Sequence, residues 1–110
     1  MIDDTIAKIQ QQLREASNLS PDKRAELQDL IAQLRTEISG LREVDPDRAD
    51  SIAAFAKVSA LEATRPDQQP DATKTAIDDL QSSVTGFEAA HPKLTAVVNR
   101  IASTLSNLGI

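Results

Sequence analysis

Large aliphatic residues recur along this chain at alternating steps of three and four, in four separate stretches. They are Ile2, Ile6, Ile9, Leu13 and Ala16; then Leu27, Ile31, Leu34, Ile38 and Leu41; then Ile77, Leu80, Val84 and Phe87; and last Leu94, Val98, Ile101, Leu105 and Leu108. Such steps keep one narrow apolar line on each helix, the pattern of helix–helix seams. The pattern predicts an all-α protein: antiparallel helical hairpins forming a four- to five-helix bundle with coiled-coil-like seams.

Proline and capping residues divide the pattern. Helix one is expected over about 3–17. Ser20-Pro21-Asp22 reads as a cap, a first helical position and a first-turn anion, starting helix two, about 21–42. Helix two is longer than helix one by roughly two turns of about 3.6 residues, and that overhang needs cover from another segment or another copy of the chain. Asp45-Pro46-Asp47 repeats the same start for helix three, about 46–63. Helix three is small-faced, with six alanines, and Ile52, Phe55, Val58 and Leu61 are spread around it. It reads as a core helix covered on more than one side, with a contact face for a partner as the alternative. Residues 65–71 carry Pro66 and Pro70 among polar neighbours and read as the linker. Helix four is expected over about 72–90, with Gly86 as a weak point. His91-Pro92 breaks the chain, and helix five runs from 92 to about 108, with Gly109 as a left-handed C-terminal cap. The division is one domain: an N-terminal hairpin (1–44), an alanine-rich helix (45–64), the linker (65–71) and a C-terminal hairpin (72–110).

Composition narrows the function classes. Of 110 residues, 16 are alanine, so much of the apolar content comes in small pieces and the core is thin. A second copy, a dimer above all, is the expected way to complete it. The net charge is −5. Acidic balance argues against nucleic acid, whose affinity comes mostly from Lys and Arg on phosphates. With no Trp or Tyr there is no base-stacking platform. The absence of cysteine removes disulfides, thiolate metal sites and a thiol nucleophile, and suits a cytoplasmic protein. The acidic, immediately periodic start does not read as a signal peptide, and no run approaches the ~18 apolar residues of a membrane span. The polar flank of helix five lacks the Lys/Arg density of a membrane-surface helix.

Reactive chemistry finds little support. His91 is the only histidine, so a metal site or a Ser-His-Asp triad would rest on it alone. It reads instead as a cap whose ring nitrogen accepts an amide at the start of helix five. Asp45, Asp47 and Asp50 imitate the opening of a calcium loop, but no glycine or closing glutamate follows. Asp3-Asp4 and Asp78-Asp79 splay apart on a helix rather than share a proton. Glycines at 40, 86 and 109 form no phosphate-cradling loop. No catalytic residue, cofactor or metal ligand is assigned, and the chain is not expected to be an enzyme.

The stretch Phe87-Glu88-Ala89-Ala90-His91-Pro92, followed by Arg100-Ile101 and the final Leu108-Gly109-Ile110, resembles domain-of-unknown-function family 4404. The N-terminal hairpin, about 6–41, is similar in style, while 46–70 looks longer than the family usually carries. The resemblance implies an uncharacterised bacterial helical protein and transfers no catalytic residue. The expected function is therefore protein–protein contact, by self-association or by docking a partner helix. The expected contact residues are Phe87, Leu94, Val98, Ile101, Leu105 and Leu108. The alternative is an acidic regulatory module, inhibitor- or antitoxin-like, covering a basic partner.

Overall fold

Four of the five helices open on a proline, and those prolines set the punctuation of the chain. The structure, a computed structural model, describes residues 2–67 and 69–108. Its helices are α1 (Ile2–Glu15), α2 (Pro21–Arg42), α3 (Pro46–Ala63), α4 (Pro70–Ser82) and α5 (Pro92–Ser106), and no strand occurs among the described residues. At the first helical position proline gives up an N–H that has no partner there anyway, and its φ is already helical. The caps expected for α2 and α3 form. Ser20 Oγ accepts the Lys23 amide at 3.1 Å, and an Asp45 carboxylate oxygen accepts the Arg48 amide at 3.2 Å.

Helix α4 departs from expectation at both ends. Pro70 does not belong to the linker: it is the first residue of the helix, with Asp71 in the first turn. The C-terminal end comes at Ser82, eight residues early. Ser82, Ser83, Thr85 and Gly86 are weak helix formers, and Ser83 Oγ turns back to donate to the Leu80 carbonyl at 2.5 Å. Gly86 sits at φ +88°, where a side chain would be strained. Turns carry the chain from there to α5, closed by the His91 amide on the Phe87 carbonyl at 2.7 Å. Helices α1 and α5 each stop about two residues short of the expected end, where terminal turns fray. The cap expected at Gly109 lies outside the described residues, as does Gln68 of the linker.

Cross-helix bonds run α1 antiparallel to α2, with Arg24 on the Leu13 carbonyl and Gln28 on the Gln10 carbonyl, and α3 antiparallel to α4, with Ser59 on the Ala76 carbonyl and Thr73 on the Glu62 carbonyl. Helix α3 is the centre and packs on all four others. Around it, α1, α2, α5 and α4 form an arc in which each helix touches the next. The arc is open: among the described residues α1 and α4 make no contact. The α2 overhang is covered within the chain, since α3 and α5 both pack on α2 and Leu34, Ile38 and Leu41 are buried. The radius of gyration, 12.9 Å, is close to the ~13 Å of a compact chain of this length, so no helix stands detached.

Alanine makes a central helix possible. The enclosed side of α3 is Ala49, Ile52, Ala53, Ala56, Ser59, Ala60 and Ala63. Small side chains let several helix axes approach one helix at once. Polar pins hold the arc together. Arg24 donates from Nε to the Leu13 carbonyl at 3.0 Å and from Nη2 to the Ala16 carbonyl at 2.6 Å, satisfying carbonyls at the end of α1. Asn18 Nδ2 donates to the Ala63 carbonyl at 3.2 Å, tying the α1–α2 turn to the end of α3.

Two outcomes follow in urea unfolding. Ala56→Leu overpacks the enclosed side of α3 and lowers stability by about 1–3 kcal/mol; an unchanged midpoint would mean that α3 is not enclosed. Arg24→Met keeps the stem and loses the carbonyl contacts, at a cost of about 1.5–3 kcal/mol.

Candidate interaction surface

The seam expected to meet a second molecule is closed inside the chain. Leu94, Val98, Ile101 and Leu105 are buried, because α5 lays its aliphatic stripe against α2 and α4. Phe87 and Leu108 are half-buried at the edge of the same core. Phe87 anchors the α4–α5 turn. The Arg48 guanidinium lies 5.0 Å from its ring centre, and the His91 ring packs tilted against it at 5.6 Å. His91 does occupy the cap position of α5, but its ring makes no capping bond. The contact with Phe87 holds the imidazole instead.

The acidic residues singled out from the sequence serve helix starts or lie scattered. Asp45 caps α3 and Asp47 sits in its first turn. Among the described residues no group of three or more His, Cys, Asp or Glu side chains is placed to hold a metal ion. No described helix is long and apolar enough to cross a membrane.

A different face draws attention. Among the described residues, the large hydrophobic side chains left exposed are Val44 (74%), Phe55 (38%), Val58 (47%) and Leu61 (44%). Three of them belong to α3 and the fourth to the turn before it. Phe55, Val58 and Leu61 are spaced by three, so they form one oblique ridge on the side of α3 away from its buried alanines. This ridge shows through the gap between α1 and α4. On its α4 side a groove of about 400 Å³ is lined by Val58, Glu62, Asp71, Thr75, Asp79 and small alanines. On its α1 side a smaller groove of about 200 Å³ runs past Gln12, Glu15, Leu61 and Arg65.

The polar groups beside the ridge are unevenly satisfied. Glu62 Oε1 pairs with Arg65 Nη1 at 3.2 Å, while Glu62 Oε2 is closed off from solvent without a partner. Gln12 Oε1 on α1 is in the same condition, as are Asp50 Oδ1 elsewhere on α3 and Thr95 Oγ1 on α5. Arg65 also reaches Asp67, Nε to Oδ1 at 3.3 Å, and this hydrogen bond holds the Asp67 carboxyl below its ordinary range. Ser59 ties the ridge helix to its neighbour: its Oγ lies 2.8 Å from both the Phe55 and Ala76 carbonyls, and its single proton serves one at a time.

The expected contact residues thus lie in or at the edge of the core, and the face left exposed is on α3, where the sequence offered a contact face only as the alternative. The alanines at 49, 53, 56, 60 and 63 keep the three–four spacing of a seam, and Phe55, Val58 and Leu61 fall off it. That offset was the available signal.

A family model described as Domain of unknown function (DUF4404) matches residues 28–110, a span that takes in α3, both faces of it, and the whole of α4 and α5. No curated protein and no solved structure matches the chain.

Opposite faces of α3 should answer differently to substitution. Ile52→Ala, on the enclosed side, is expected to cost about 2–5 kcal/mol. Val58→Gln, on the ridge, should change stability by no more than about 0.5 kcal/mol. Thermal unfolding of the two variants checks the contrast, and equal losses would mean the ridge is packed rather than free.

Proposed function

The chain belongs to the DUF4404 family, a domain of unknown function, and from its own surface we propose that it acts by protein–protein contact, without catalysis, through the outer face of α3. The carrying observation is the ridge Phe55–Val58–Leu61. Among the described residues the other seams are buried apart from Phe87 and Leu108 at the edge, so a run of half-exposed large side chains on the central helix stands out against the rest of the surface. Contiguous apolar surface with polar margins is the ordinary mark of a contact site.

Self-association is the weaker form of this reading. One of its motives, an uncovered α2, is met within the chain by α3 and α5. An acidic module covering a basic partner is the stronger form, since carboxylates margin the ridge on α3 and α4.

Site-specific photocrosslinking in producing cells tests the surface. A photoreactive residue at position 58 should give discrete adducts, and one at the exposed position 103 on α5 should give none. Equal yields at the two positions would remove α3 as the contact face. A band at twice the mass of the chain would identify the partner as a second copy.

A further inference from the structure

We propose that the gap between α1 and α4 receives a basic amphipathic helix of another protein, lying over the α3 ridge and completing the arc around α3. The inference rests on the contact reading above and adds the class of partner.

Shape supplies the first argument. Helix α3 is ringed by α1, α2, α5 and α4, and the ring lacks one member where α1 and α4 fail to meet. The vacant place is bounded by two roughly rod-shaped walls, with the Phe55–Val58–Leu61 ridge as its floor and a groove on either side. A helix presents residues at i, i+3, i+4 and i+7 to such a ridge, which is the helix-in-groove mode of recognition.

Charge supplies the second. The groove on the α4 side is lined by Glu62, Asp71 and Asp79, and no lysine or arginine lines it. A partner with an apolar stripe and basic flanks answers both features together.

A second copy of the chain answers them poorly. An isologous contact sets the same patch against itself, so two ridges meeting across a two-fold axis would bring like carboxylates of the acidic groove toward one another. Like-charge juxtaposition of that kind selects against a partner.

The test uses the full chain and a stapled synthetic helix of about 18 residues, or five turns, carrying a leucine stripe with lysine flanks. A second peptide has glutamate in place of every lysine. Amide NMR shifts locate binding and fluorescence anisotropy measures it. The lysine peptide should shift amides within 54–62 and 71–79. Val58→Glu and Asp79→Lys should each weaken it by about tenfold or more. Raising salt from 0.1 to 1 M, where screening shortens from about 10 to about 3 Å, should also weaken it. Equal or tighter binding of the glutamate peptide at the ridge, or ridge shifts that follow only the concentration of the protein itself, would overturn the basic partner and leave the contact face standing. If ridge amides move with neither peptide nor concentration, or the lysine peptide binds elsewhere on the surface, both the inference and the contact reading fall.

Discussion

Enclosure of one helix by four others is the constraint on which the rest of this structure depends. A helix can have so many neighbours only if its side chains are short, and α3 meets that condition with alanine at five of the seven positions on its enclosed side. The other helices carry the long aliphatic side chains that fill the space so created. Leu13, Leu34, Ile38, Leu80 and Ile101 are each almost wholly buried. The thin composition of the chain is thus not a deficit of core. It is the division of labour between one slender central rod and four heavier ones around it.

The same constraint produces the exposed ridge. Four helices of this length do not close around a fifth, and the side of α3 left over must be either polar or available. It carries Phe55, Val58 and Leu61. Each is about half covered, so each lends part of its surface to the bundle and leaves the rest facing water. The acidic groove on the α4 side lies beside them. An apolar ridge and an acidic margin meet at one place, and this gives the contact reading its weight.

Much of the fold was legible in the sequence because its punctuation is local. Ser20-Pro21 and Asp45-Pro46 each combine a capping side chain with a proline, and the starts of α2 and α3 follow to the residue. Pro70 was harder: Gln69 before it makes no side-chain cap, and Pro66 nearby suggested one continuous linker. The end of α4 was missed because Ile77, Leu80, Val84 and Phe87 keep helical spacing across a break made by Ser83 and Gly86. Which apolar face stays exposed was harder still. Periodicity tells which side of a helix must be covered, and α5 has such a side, but it does not tell whether the cover comes from the same chain. Only the packing of α5 on α2 decides that.

That packing of α5 on α2 has a kinetic side. Every other extensive helix contact joins neighbours in sequence or helices one removed, whereas α2 and α5 are brought together across two intervening helices. Local contacts form with little loop-closure entropy, and chains rich in them fold quickly. Part of the α5 stripe is covered locally by α4, but the rest depends for its cover on the contact between the touching helices farthest apart in sequence, so loosening that one contact would bare apolar surface on α5.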